Sequence, residues 1–219
     1  MTNKIYLSPS NQNANTYSYG NTNEMEQCSR IAEFAESALK RNGYEVKRAP
    51  KGQDINVTIK ESNEWNPKLH VCIHTNAGGG EGTVVFVHSK ASENMRYANP
   101  IYHEVQNVSP GDYPYGVRTY PELKEINQTS AICVYVECEF HDDAEYAKWI
   151  IENVETLGEA ICKGICEADG KEYIAPKKPV GTSFYRVQVG AFNDYNNAVN
   201  MRNELESKGY PTVIVEVKR

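Results

Sequence analysis

From Lys4 onward, short apolar runs alternate with longer stretches in which apolar residues recur every three to four positions. That alternation restricts the chain more than any other feature. Strands joined through helices must run largely parallel, and the helices must cover the faces of the sheet. The expected fold is therefore α/β, a mostly parallel sheet flanked by helices. Strand candidates are Lys4 to Leu7, Tyr44 to Arg48, Leu69 to His74, Thr83 to His88 and Ala131 to Glu137. A helix carries Cys28, Ile31, Ala32, Ala35 and Leu39 on one stripe and is stopped by Asn42 and Gly43. A second runs from Ser92 to Val105, and a single long helix is expected from Ala144 to Glu167.

The chain has 219 residues, enough for one substantial core and a small appendage. No apolar run approaches the ~20 residues of a membrane helix, so no membrane partner is expected. A net charge of −6 argues against nucleic acid as the main partner, because phosphate contacts need a basic surface. The start, MTNKIYLSPS, lacks a basic segment followed by an apolar stretch, so the chain is expected to be synthesised in the cytoplasm without a signal peptide. The six cysteines lie in apolar patterns and read as reduced packing residues rather than a disulfide framework.

Residues 1–170 form the expected first domain. The sequence KEYIAPKKPVGTS, 171–183, loses periodicity and reads as an exposed linker. Residues 184–219 restart with a strand YRVQVGAF, a helix from Asp194 to Lys208 and a strand TVIVEV, a small βαβ unit. Three elements are marginal as an independent fold.

Two residues in the first domain stand at strand ends, where reacting groups collect in open α/β sheets. His74 ends LHVCIH ahead of TNAGGG, and Glu137 ends AICVYVE. Imidazole and carboxylate are ligands of catalytic zinc, and a further carboxylate can carry the proton of an activated water. His70 shares a strand face with His74 but sits deeper, as a hydrogen-bonded core residue; His88 and His103 have no convergent partners.

These residues sit in a pattern that resembles the zinc-dependent N-acetylmuramoyl-L-alanine amidases of bacterial autolysins and phage endolysins, over residues 4 to 168. IHTNA matches the family's strand-end histidine motif, Glu24 stands seven residues before Ile31 as the helix glutamate does, and VECEF at Val136 to Phe140 matches the catalytic-glutamate strand. The resemblance implies Zn2+ as cofactor, Glu24 and His74 as ligands, Glu137 as the catalytic residue, and Asn76, Gly78 and Gly79 against substrate. Two positions depart from the family. Glu139 replaces a glycine, and the first histidine ligand falls on Asn11, with Gln12 beside it. Gln12 is favoured as the third ligand for its longer reach; Asn11 remains open, as does His141, which otherwise reads as a solvated turn residue.

YRVQVGAF with the later Gly209-Tyr210 resembles the first half of a SPOR domain, a peptidoglycan-binding module. That resemblance implies glycan contacts through Tyr185 and Gln188. Half a module leaves strand edges uncovered, so a homodimer through this segment is expected. The joint implication is a peptidoglycan amidase acting at the bacterial cell wall after release, as a phage or sporulation lysin. The rivals are a wall-binding protein without catalysis and a zinc peptidase cutting another stem-peptide bond.

Overall fold

The computed structural model describes residues 3–177 and 187–217. The chain divides into two units, Met1–Pro176 and Lys177–Arg219.

The first unit contains β1 (Lys4–Pro9), α1 (Glu24–Arg41), β2 (Glu45–Arg48), α2 (Ile55–Trp65), β3 (Leu69–Asn76), β4 (Val84–Val87), α3 (Ser92–Val108), β5 (Gly116–Thr119), α4 (Lys124–Gln128), β6 (Ile132–Phe140), α5 (Ala144–Glu152) and α6 (Val154–Ala168). Its six strands form one sheet in the order β2-β1-β3-β6-β4-β5. Pairing is parallel except between β4 and β6, which run antiparallel. The expected mostly parallel α/β sheet is thus present.

Alternation along the strands decides what each face does. On β3, Leu69, Val71 and Ile73 join the main core with Ile31, Ala35 and Leu39 of α1, Ile101 of α3 and Leu157, Ile161 and Ile165 of α6. His70, Cys72 and His74 point to the opposite face. There Cys72, Cys133, Tyr135 and Ile126 of α4 form a second, smaller cluster. Close helix packing on the main face depends on two glycines of α6. A Cβ at Gly158 would stand 2.6 Å from the Ala35 backbone nitrogen, and one at Gly164 would stand 2.6 Å from Ile101 Cα.

Several expectations are corrected. The single helix from Ala144 to Glu167 is two helices, broken at Asn153, whose side chain donates to the Trp149 carbonyl at 2.8 Å. That amide competes with the helical ladder, as asparagine does near helix ends. α2, β5 and α4 were not expected. Residues 171–174, expected in an exposed linker, are tied to the first unit: Asn42 accepts from the Ile174 N–H at 2.6 Å, and Tyr173 hydroxyl bonds Glu159.

In the second unit, α7 (Tyr195–Ser207) is capped by Asp194, which accepts from Asn196 N–H at 2.7 Å. The described parts of the two expected flanking strands, 187–192 and 212–217, carry no strand pairing. All six cysteines are free and buried, as expected for packing residues.

Candidate active site

β3 and β6 are neighbours, and their register sets His74 opposite Glu137. The register then shifts between His74 and Asn76. Such an irregularity re-aims side chains at a strand end.

Glu24 arrives from a third element. It begins α1, where free N–H groups favour a carboxylate. Its Oε1 lies 2.7 Å from His74 Nδ1, and both side chains are buried. Asn15 ties the other Glu24 oxygen at 2.7 Å and also donates to Gln12 Oε1 at 2.8 Å. Gln12 in turn approaches the same His74 nitrogen, with Nε2 at 3.5 Å. Glu24, His74 and Gln12 therefore converge on one point.

The other two candidates for the third ligand are engaged by other partners. The Asn11 side chain donates to the Gln53 carbonyl at 3.0 Å. His141 is no solvated turn residue. It is buried, its Nδ1 stands 3.0 Å from Thr75 Oγ1, and its ring stacks on Tyr17 with centroids 4.9 Å apart.

The electrostatics follow from burial and from these pairs. Burial raises the Glu24 pKa, but hydrogen bonds from His74, Asn15 and Ser10 outweigh it and leave the carboxyl below its usual value. Burial lowers the His74 pKa, and the Glu24 hydrogen bond with the Glu137 charge more than reverses this. Glu137 has no such support. Its Oε2 is sealed from solvent without a hydrogen-bond partner, and burial, aided by the Glu24 charge and opposed by His74, pushes its pKa up to about 7. A carboxyl balanced near neutrality can both take and return a proton.

Glu139 plays a different part. Fully buried, it accepts from Gly82 N–H at 2.6 Å, Phe140 N–H at 2.9 Å and Gly111 N–H at 3.1 Å, with the Ser109 hydroxyl as a fourth donor. It ties the β3–β4 loop to the α3–β5 loop and has no free oxygen for chemistry. Asn76 ends β3 and accepts from the Ala77 N–H at 2.8 Å. The Gly78 and Gly79 N–H groups both donate to Asp142 Oδ2, at 2.7 and 2.8 Å. In the second unit Gln188 is exposed, and Tyr185 lies outside the described residues.

A cavity of about 250 Å³ adjoins the convergent point, lined among others by Ser8, Asn11, Gln12, Gln53, His74 and Glu125. The sequence reading missed Asn15, Tyr135 and Glu125 as neighbours of this site. Tyr135 was within reach of the strand alternation that found Glu137, two residues on. Asn15 sits in a loop without periodicity and offered no signal.

The family model for N-acetylmuramoyl-L-alanine amidase matches residues 9–167, and that for the SPOR domain matches residues 181–219. The sporulation-specific N-acetylmuramoyl-L-alanine amidase of Bacillus subtilis (strain 168) is 21% identical over 164 residues, which cover 74% of this chain and 62% of that protein. The chain therefore spans less than two thirds of that relative's length. Among solved structures, the catalytic domain of the CD27L endolysin targeting Clostridia Difficile superposes with a TM-score of 0.61 at 21% identity, covering 75% of this chain and 97% of that one. The catalytic domain of CwlV, an N-acetylmuramoyl-L-alanine amidase from Bacillus (Paenibacillus) polymyxa var. colistinus, gives 0.66 at 18% identity, covering 78% and 100%. At these identities the structural likeness speaks for the fold. The family match takes in both strand ends that carry His74 and Glu137, and Glu24 ahead of them. With that match over most of its length, the chain belongs to the N-acetylmuramoyl-L-alanine amidase family, and a SPOR domain follows.

Proposed function

We propose that the first unit hydrolyses the amide between the lactyl group of N-acetylmuramic acid and the L-alanine of the stem peptide, with Zn2+ as cofactor. The observation that carries this reading is the sealed, unpartnered Glu137 Oε2 facing a buried His74–Glu24 pair.

The donor set fits zinc. An imidazole nitrogen and a carboxylate oxygen lie 2.7 Å apart, with the Gln12 amide beside them, and this is where Glu24, His74 and, through its Oε1 once turned from Asn15, Gln12 would hold the ion. An amide oxygen is a weaker partner for zinc than imidazole, so Gln12 is the soft point of the set. When bound, the ion polarises the scissile carbonyl and makes water a better nucleophile at neutral pH.

The chain's own groups do the rest. Glu137 takes the proton of the attacking water at its free oxygen and returns it to the leaving L-alanine nitrogen. Asn15 holds Glu24 and Gln12 in place, and Tyr135 fixes the plane of His74 by stacking. Asn76, at the end of β3, and Gly78 and Gly79, in the loop after it, are assigned to substrate contact. Mass analysis of digested peptidoglycan tests the reading. New L-alanine amino termini beside intact glycan support it; cleavage of another stem-peptide bond, or no product at all, would overturn it.

In the second unit, Gln188 and Tyr185 are assigned to glycan, and a second copy of the chain is the proposed cover for its apolar side chains. Val187 is 91% exposed and Val213 84%, while α7 buries no residue. Pairing two such units would shield these side chains and give two wall contacts per particle. The site of action is the cell wall. Among the described residues, no helix is long and apolar enough to cross a membrane.

A further inference from the structure

The face of β3 that ends in His74 carries a second constellation further down. His70 is fully buried, and so is Cys72, two residues on; Cys133 of β6 is 5% exposed. Among the described residues, these three form the only group of three His, Cys, Asp or Glu donors whose ligand atoms all lie within 4.8 Å of one another. Glu125 of α4 lies outside that group and meets it through His70, with Oε1 3.0 Å from His70 Nε2.

The spacings suit an ion. Two sulfurs bound to a tetrahedral zinc at ~2.3 Å stand about 3.8 Å apart, and an imidazole nitrogen and carboxylate oxygen at ~2.0–2.2 Å stand about 3.4 Å apart. Here the Cys72 and Cys133 sulfurs are 3.7 Å apart, and the His70–Glu125 contact is 3.0 Å. The supporting contacts are also in place. Ser62 hydroxyl meets His70 Nδ1 at 2.8 Å and leaves Nε2 to face the cluster, while the Ser8 hydroxyl donates to Glu125. Glu125 and Ser8 also line the cavity of about 250 Å³ beside His74, which gives an ion a route inward.

We propose that His70, Cys72 and Cys133 form a second metal site, structural in role, for a thiophilic divalent cation of the zinc class, with Glu125 moving in from its contact with His70 as the fourth donor. It is separate from the convergent point at His74. Four strand residues at ~3.3 Å each put His70 roughly 13 Å from His74, and Tyr135 stands between them, paired with Cys72 and stacked on His74. Binding displaces the two thiol protons into solvent and adds two thiolate bonds. The ion ties α4, through Glu125, to the central strand pair, and so braces one wall of the cavity beside the active site.

The test uses the full chain and Cd2+ or Zn2+ alone. Wild type should bind two equivalents per chain, and Cd2+ should produce near-ultraviolet thiolate-to-metal charge-transfer absorption. His74→Ala should fall to one equivalent and keep that absorption. Cys72→Ser with Cys133→Ser should also fall to one equivalent, lose the absorption, and retain cleavage of peptidoglycan. In the His74→Ala background Zn2+ should still raise the melting temperature, and adding the two cysteine substitutions should abolish that rise. If the double cysteine variant does not fold, the His74→Ala protein decides alone: no thiolate absorption, or no bound metal, overturns the proposal. So does a mass showing Cys72 and Cys133 joined as a disulfide in freshly purified protein. Because peptidoglycan cleavage is read separately, failure here leaves the amidase reading standing, and the reverse holds too.

Discussion

The His74 imidazole lies nearly flat against the Tyr135 ring, with centroids 4.3 Å apart and planes 21° off parallel. Stacking of this kind contributes about 0.5–1.5 kcal/mol beyond area burial. Tyr135→Phe should keep metal affinity, whereas Tyr135→Leu should weaken Zn2+ binding roughly 2- to 12-fold, that same range converted to affinity. Competition against a chelator measures both; equal affinity in the Leu variant would remove Tyr135 from the site.

Glu137→Gln preserves shape and should fold and bind metal as wild type does. It cannot accept the water's proton, so hydrolysis should fall on the order of 100-fold or more. Since every oxygen of Glu139 is occupied by loop donors, wild-type turnover in this variant would leave no neighbouring carboxylate on β6 to take over.

Gln12 and Asn11 are separable by histidine substitution. Gln12 faces His74, while Asn11 is turned to the Gln53 carbonyl. Gln12→His should tighten Zn2+ by replacing an amide with an imidazole, and Asn11→His should leave affinity unchanged. Isothermal titration of the two variants gives the answer, and the reverse order of affinities would reassign the third ligand.

Glu139→Ala should cost about 3 kcal/mol or more, because it strands the buried N–H groups of Gly82 and Gly111 together with the Ser109 hydroxyl. Urea unfolding reads the loss. A variant as stable as wild type would mean that these loops hold themselves.

Stability should also depend on pH through Asp169, which caps α6. Burial raises its pKa, but Lys68 and the hydroxyls of Tyr44 and Tyr97 outweigh this and hold it below 3.8. A carboxyl depressed in the folded state stabilises fully above its unfolded pKa and loses that contribution as pH falls through its folded value. Asp169→Asn should therefore be less stable than wild type at neutral pH, with the gap closing in strong acid. Thermal melts across pH would contradict this if the gap widened on acidification.

The alternation of apolar runs specified the central strands well, because β1, β3 and β6 are buried on both faces and leave little choice. It located His74 and Glu137, which end such strands, whereas Glu24 came from the family resemblance and not from periodicity. It missed α2, whose INVTIKESNEW buries only Thr58, Ile59 and Ser62, two of them polar. It missed β5, an edge strand of four residues with two exposed. It also read through Asn153, where the apolar stripe continues past a break made by one side chain. The contacts of Gln12, Asn15 and Glu139 depend on loops meeting from distant parts of the chain, which no local period records.

The site draws Gln12, Glu24, His74 and Glu137 from β1's exit, α1, β3 and β6. His74 meets Glu24 across 50 residues and Gln12 across 62. Contacts so far apart form late, because loop closure must be met before they contribute. A chain emerging from the ribosome holds no competent centre until β6 has zipped onto β3. The catalytic role proposed for Glu137 is thus the last to become available, and a fragment that ends before β6 keeps Glu24, His74 and Gln12 but lacks that carboxyl.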